Sequence, residues 1–381
     1  MKEETRLIQN ILSDPLTGAI TTPIYQTSTY VQEAPGVHKG YDYTRTNNPT
    51  RKILEKIITD LEKGYKSLAF SSGLASVDAV LKLLENGDEI VAVDDIYGGT
   101  YRLLNLYKKL GIHTKFVDTT HSENIISILS PKTKMIWLES PTNPTLKISD
   151  IKHISESSKK VYPNIMIVVD NTFATPALQN PIILGADMVI HSATKYIAGH
   201  SDVLAGLITV KNPDFYEKLK YIQNSTGGIL SPFDSWLTIR GCQTLYLRIK
   251  KQSDNAFKIA LFLLKEKSHL IDKIYYPGLY QHKNHTIAAK QQLSFGGIVS
   301  FSLKNDTIEN AKKVVTSTKY FKLAESLGGT KSLICHPATM THKSTPLEVR
   351  RKTGIQDSLI RLSFGIENSE DLLEDINNVL Q

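Results

Sequence analysis

The sequence predicts an α/β fold with a mostly parallel, doubly wound sheet followed by a smaller C-terminal α/β domain. Between about residues 64 and 240, short apolar runs alternate with segments of helical period, the pattern of a parallel sheet wrapped by helices. These runs are brief, bounded and rich in β-branched residues, as expected of strands buried on both faces. Beyond residue 240 the same alternation continues with fewer elements, and 381 residues at roughly 150 per domain suit two domains. The expected division is an arm over residues 1–48, a large domain over 49–240 and a smaller one over 241–381.

In chain order, a short helix is expected over Lys2–Leu12, followed by the turn-rich, aromatic segment TTPIYQTSTYVQEAPG. With Tyr25, Tyr30, Tyr41 and Tyr43 and no clear period, this arm should pack on another domain or subunit. GYDYTRTNNPTRK leads into an amphipathic helix over Arg51–Lys63. Strands are expected at Ser67–Phe70, Glu89–Val93, His113–Val117, Met135–Leu138, Ile165–Val169, Met188–Ile190 and Leu204–Val210. Helices intervene, for example at Leu74–Glu85 and Tyr101–Leu110, and one long helix is expected from about Ser231 to Lys267. The second unit should carry strands near Lys273–Tyr276, Gly297–Leu303, Phe321–Ala324 and Leu359–Phe364.

Composition narrows the function classes. The net charge of +7 is spread along the chain without the basic, aromatic-interleaved clusters of a nucleic-acid binder. The cysteines, Cys242 and Cys335, form no CxxC pair, which suits a reducing compartment and argues against a cysteine zinc site. His191, His200, His336 and His342 lack the spacing of a metal motif, so no metal is expected. No GxGxxG follows a strand and no GxxxxGK is present, so dinucleotide and P-loop sites lack their fingerprints. The N-terminus has no apolar core of signal-peptide length, and no apolar run is long enough to span a bilayer. A soluble, cytoplasmic protein is expected.

Chemistry concentrates at the ends of the expected strands, where ligands bind in open α/β sheets. Asp170 closes one apolar run and Ser192-Ala-Thr-Lys195 closes the next. A lysine amine for a Schiff base and a carboxylate that keeps a pyridine nitrogen protonated are what pyridoxal phosphate (PLP) requires. Ser192 and Thr194 offer hydroxyls to its phosphate. The plain alternative is a capping aspartate and a surface lysine. In FSSGLAS a strand runs straight into a helix at Gly73, a natural phosphate cradle that is also a common capping turn. Tyr97, before Gly98-Gly99, is placed to stack on a flat cofactor or move a proton. Asn143 in ESPTNP could meet a substrate carboxylate or form an Asn-Pro turn. Arg361, between apolar Ile360 and Leu362, wants a carboxylate, whether from an amino-acid substrate or from Asp or Glu of the chain.

YDYTRTNNPTR, SSGLAS, YGGTYR, ESPTNP, VVDNTF, HSATKY, SDVLAG, AESLGG and RLSFGIE follow one another across nearly the whole chain. Together they strongly resemble the PLP-dependent Cys/Met-metabolism (transsulfuration) enzyme family. The resemblance implies an aminotransferase-like, type I PLP-dependent transferase fold. Lys195 then resembles the Schiff-base lysine, Asp170 the partner of the pyridine nitrogen and Tyr97 the ring-stacking tyrosine. Gly73, Leu74, Ser192 and Thr194 match the phosphate cradle, and Tyr43 and Arg45 match residues that reach the phosphate of a neighbouring subunit. Arg361, with Asn143 and the backbone near Ser326, would hold the substrate carboxylate, while Asp42, Thr46, Arg102 and Glu325 would read its distal part.

The family pattern also implies a homotetramer built from two catalytic dimers, acting on small amino-acid substrates. Leu74 departs from the Met of many members, and Gly99 and Glu325 depart from methionine γ-lyases. The AESLGG string favours γ-enzymes over bacterial β-lyases, which points to cystathionine γ-lyase activity. That reaction gives cysteine, 2-oxobutanoate and ammonia. γ-Replacement, joining an acylhomoserine and cysteine, is the alternative, and β-elimination is less favoured. Cysteine or methionine biosynthesis is the implied setting.

Overall fold

The computed structural model describes residues 1–11, 13–343 and 345–381. Helix α1 (Glu3–Gln9) opens the chain and occupies most of the expected first helix, whose last residue, Leu12, lies outside the described residues. Most of the segment up to residue 48 then runs without regular structure. Helix α2 (Pro49–Glu62) starts where it does because Asn48 accepts hydrogen bonds from Thr50 N and Arg51 N and Pro49 pre-sets the first turn.

The large unit continues with β1 (Lys66–Phe70), α3 (Gly73–Leu81), β2 (Glu89–Val93), α4 (Gly98–Lys108), β3 (His113–Val117) and α5 (Ser122–Ile126). There follow β4 (Thr133–Glu139), α6 (Ile151–Val161), β5 (Met166–Asp170), α7 (Thr175–Leu178), β6 (Met188–Ser192), β7 (Gly206–Val210) and α8 (Pro213–Thr226). Its seven strands form one sheet in the order β1-β7-β6-β5-β4-β2-β3. Only β7 runs against the rest, pairing antiparallel with both β1 and β6. Strand β5 shows why the apolar runs are continuous. Val168 packs into the core on one face, while Ile167 and Val169 pack into the core on the other.

The expected helix over Ser231–Lys267 is instead two helices, α9 (Pro232–Cys242) and α10 (Leu245–Glu266), with a break at Gln243–Thr244. Apolar periodicity runs through this stretch, so the sequence pattern conceals the turn. The physical cause is a close approach. A Cβ on Gly241 would lie 1.9 Å from the carbonyl oxygen of Ala198, so the chain bends where α9 meets the Lys195 turn. The expected boundary at 240/241 falls inside α9.

The smaller unit holds β8 (Ile271–Tyr275), α11 (His285–Gln291), β9 (Ile298–Leu303), α12 (Ile308–Ser317), β10 (Lys322–Leu323) and β11 (Leu333–Cys335). It ends with α13 (Leu347–Thr353), β12 (Ile360–Ser363) and α14 (Ser369–Val379). These strands form a second sheet ordered β10-β11-β12-β9-β8. Strand β11 was not expected, because Leu333–Cys335 is too short to show a period. It matters for function, since it pairs Cys335 opposite Arg361 on β12. One apolar cluster joins residues of α2, β7, α10, β8 and β9, so the two units share a core. Among the described residues no helix is long and apolar enough to cross a membrane.

Candidate active site

The carboxyl ends of β1, β4, β5 and β6 open into one cavity of about 420 Å³, closed on the far side by the 325–327 loop, Thr341 and Arg361. Of the residues expected to bind or react, Gly73, Leu74, Tyr97, Asn143, Asp170, Ser192, Thr194, Lys195, Glu325, Ser326 and Arg361 line it. Arg102 is not among the lining residues, although it sits on α4 near the Tyr97 turn and its charge acts on the Tyr97 hydroxyl. Tyr43 and Arg45 line a separate depression with Gln26, Thr44, Ile229 and Pro232.

Lys195 leaves the end of β6 on a turn in which its N–H donates to Ser192 O. The turn is braced from α10, where Arg248 donates to the carbonyls of Tyr196 at 2.7 Å and Ile197 at 3.2 Å. The Lys195 ammonium donates to Ser326 Oγ at 2.7 Å. Burial, reinforced by the charge of Arg361 and opposed by Glu325, lowers its pKa to about 8. The amine is therefore available in neutral form close to neutral pH, which a nucleophile or a base needs.

Asp170 ends β5 on the cavity floor and accepts a hydrogen bond from Thr172 N at 3.0 Å. Burial raises its pKa, and among the described residues no ion pair holds it. A half-buried carboxylate that faces a cavity and has no ion-pair partner among the described residues suits a cationic group. At the other end of the cavity Gly73 opens α3, and a Cβ there would lie 2.9 Å from Ser192 Cβ. A Cβ on Gly206 would lie 2.0 Å from Ser72 O. The two glycines let the start of α3 press against Ser192, and the first N–H groups of the helix have no intrahelical acceptor. Residues 72–74 and Ser192 thus bring free helix N–H groups and a hydroxyl to one end of the cavity, an arrangement that suits a dianion. Thr194 is more committed than expected, because its hydroxyl accepts from Ala205 N at 3.0 Å.

Arg361 is 2% exposed, and among the described residues no carboxylate lies within ion-pair distance of it. Its Nη1 donates to Asn143 Oδ1 at 2.7 Å and its Nη2 to Ser326 O at 2.9 Å, while the buried Nε has no partner. Among the described residues the structural salt bridge left open by the sequence is therefore not formed. Asn143 acts as an acceptor here, orienting the guanidinium. Ser326, held at φ +91°, joins the two cations by accepting from Lys195 at its hydroxyl oxygen and from Arg361 at its carbonyl. Cysteine Cys335 lies beside Arg361, and burial pushes its thiol up, so it packs as a neutral group.

The arrangement fits PLP on the chain's own geometry. A low-pKa amine, a half-buried carboxylate and a helix start with free N–H groups line one cavity, together with Tyr97 and Arg361. Burial raises the Tyr97 pKa, so its phenol stays protonated. Sequence reasoning missed Thr172, Thr341 and Glu139 as lining residues. Thr172 was findable, since it lies two residues after Asp170 and its Oγ1 accepts from Ser192 N at 2.9 Å. Thr341 arrives from a loop distant in sequence.

A profile of the family described as Cys/Met metabolism PLP-dependent enzyme matches residues 4–381. The chain is 48% identical to a cystathionine γ-lyase of Bacillus subtilis (strain 168), covering 100% of both chains. It is 51% identical to a cystathionine β-lyase of Lactococcus lactis subsp. cremoris, covering 99% of this chain and 98% of that one. A cystathionine γ-synthase from Xanthomonas oryzae pv. oryzae, solved with cystathionine, superposes with a TM-score of 0.95. That structure is 39% identical and is matched over 100% of this chain and 98% of its own.

Proposed function

The chain belongs to the Cys/Met-metabolism PLP-dependent enzyme family, and on that premise we propose that it cleaves cystathionine by γ-elimination. It is a PLP enzyme of transsulfuration, and the finer reading concerns which carbon–sulfur bond breaks. When bound, PLP acts as an electron sink for the carbanion formed at the substrate's α-carbon.

We assign the chain's own groups as follows. Arg361, oriented by Asn143 and Ser326 O, takes the substrate α-carboxylate with its remaining donors. Asp170 holds a proton on the pyridine nitrogen by ion pairing, and the α3 start with Gly73, Leu74 and Ser192 holds the phosphate. Lys195 is the base that removes the α-proton, its pKa of about 8 leaving a useful neutral fraction. γ-Elimination also needs a β-proton removed and a proton delivered to the departing sulfur, and we assign both tasks to Lys195 and protonated Tyr97, which line the same cavity. Glu325 at the cavity wall offers a carboxylate to the ammonium at the far end of cystathionine.

The observation that supports cystathionine as the substrate is this pairing of Arg361 and Glu325 in one cavity with Lys195. It suits a substrate with an amino-acid head at each end. The 51% identity to a protein named cystathionine β-lyase favours a second reading, β-elimination at the same site. The purified holoenzyme given cystathionine should release 2-oxobutanoate and cysteine, and Lys195→Ala should release neither. Pyruvate and homocysteine would establish the β-lyase reading instead. Cystathionine formation from an acylhomoserine and cysteine, without cleavage, would make the protein a γ-synthase. We further propose a cytoplasmic homotetramer in which Tyr43 and Arg45 complete the neighbouring site.

A further inference from the structure

Among the buried titratable groups, Glu139 has no role in the assignments above. It ends β4, pairs across the sheet with Asp170 on β5 and is 4% exposed on the cavity floor. Its two carboxylate oxygens accept from one donor, the backbone N–H of Tyr97, at 2.9 and 3.1 Å. Tyr97 is the N-cap of α4, and its own side chain caps nothing. The anchor of that turn therefore comes from a different strand.

We propose that Glu139 is the positioning residue for Tyr97, fixing the turn from which the tyrosine ring is hung over the cavity. The ring is unusually sensitive to that turn. A Cβ on Gly99 would lie 2.4 Å from Tyr97 Cε1, so the phenol rests on the backbone two residues ahead of it. A Cβ on Gly98 would lie 2.8 Å from Thr341 O, so the outer side of the turn is pressed against the 341 carbonyl. With ring and carbonyl both in contact, the carboxylate beneath holds the first N–H of the turn. A tilt there moves the whole ring. Burial and the neighbouring Asp170 push the Glu139 carboxyl well above the usual range, and its oxygen accepts from Tyr97 N–H whether or not it carries a proton.

The inference rests on the reading of Tyr97 as the group that meets the cofactor ring, and a double-mutant cycle separates the two. Holoenzyme carrying Glu139→Ala, Tyr97→Ala or both is compared for PLP affinity by fluorescence titration, visible circular dichroism of the bound cofactor, and turnover. Glu139→Ala alone is expected to weaken PLP and slow turnover about tenfold and to diminish the dichroic band. In the Tyr97→Ala background it should change each by less than about twofold. Glu139→Gln, which keeps an oxygen acceptor, should restore the dichroic band. If Glu139→Ala does not fold, Glu139→Met fills the space without an acceptor and replaces it in the cycle. Undiminished effects of the Glu139 variant in the Tyr97→Ala background would overturn the inference while leaving Tyr97 in place. A Tyr97→Ala protein with unchanged affinity, dichroism and turnover would remove the reading of Tyr97 and the inference with it.

Discussion

At Lys195 burial sets the chemistry. The side chain is largely withdrawn from water and faces the Arg361 charge, which lowers its pKa from 10.5 to about 8. The sign for stability follows directly. Between about 8 and 10.5 the unfolded chain binds a proton at this lysine that the folded chain does not. For cofactor-free protein this group therefore adds stability as pH rises through that window and opposes folding below it. The kinetic consequence is sharper, because covalent capture of PLP needs the neutral amine. Apoprotein mixed with PLP should acquire its yellow absorbance about tenfold faster per pH unit up to about 8, then at a constant rate. A rate that keeps rising to pH 10 would show an unperturbed lysine. Asp170 and Arg361 were legible in the sequence because each interrupts or closes an apolar strand, and Lys195 because it follows one within a few residues. Glu139 was equally placed, at the end of β4, yet ESPTNP reads as a turn. Its partner is a backbone N–H, and a backbone donor leaves no mark on the sequence.

At the scale of elements, every strand but β11 was legible and the contacts between elements were not. Glu89–Val93 and His113–Val117 have the bounds expected from pattern alone. The reversal of β7 carries no sequence signal, because an apolar strand looks the same in either direction. The interruption between α9 and α10 was hidden for a related reason, since its cause is the Ala198 carbonyl, far away in sequence. This break lies against the turn that carries Lys195. Gly241 and Arg248 together hold the turn that carries Lys195, with Arg248 donating to Gly241 O at 2.8 Å as well as to Tyr196 and Ile197. Gly241→Ala places a methyl 1.9 Å from Ala198 O, a contact that backbone must yield to. The variant should lose about 1–3 kcal/mol of stability by overpacking. It should also lose turnover, because the displaced segment is the Lys195 turn. Thermal unfolding together with a cystathionine cleavage assay measures both, and an unaffected turnover would show that the brace does not set the lysine's position.

At the scale of the molecule, the arm and the rim of the cavity are unfinished surfaces. Leu16 and Ile20 are 86% exposed, Val31 is 95% exposed, and Leu204, which also lines the main cavity, is 66% exposed. Isolated exposed apolar side chains are ordinary, but here they lie along an arm without regular structure and at the mouth of the site. In the depression that Tyr43 shares with Arg45, the guanidinium carbon sits 5.2 Å from the Tyr43 ring centroid, and the depression holds no residue of the Lys195 site. The sequence made the arm legible as something that cannot fold on its own face, and within one chain Tyr43 and Arg45 are not among the residues lining a Lys195 cavity. A neighbouring subunit related by a two-fold axis would give it one, since each arm would then meet the other's site. Complementation tests this geometry. Lys195→Ala lacks the amine, and Tyr43→Ala/Arg45→Ala lacks the arm's contribution, so each alone should turn over poorly. Unfolded together in equal amounts and refolded, half of the dimers are mixed, and each mixed dimer carries one site with neither defect. Activity should return to about a quarter of the wild-type value. No recovery in a refolded mixture that contains mixed dimers would place Tyr43 and Arg45 in the service of their own subunit.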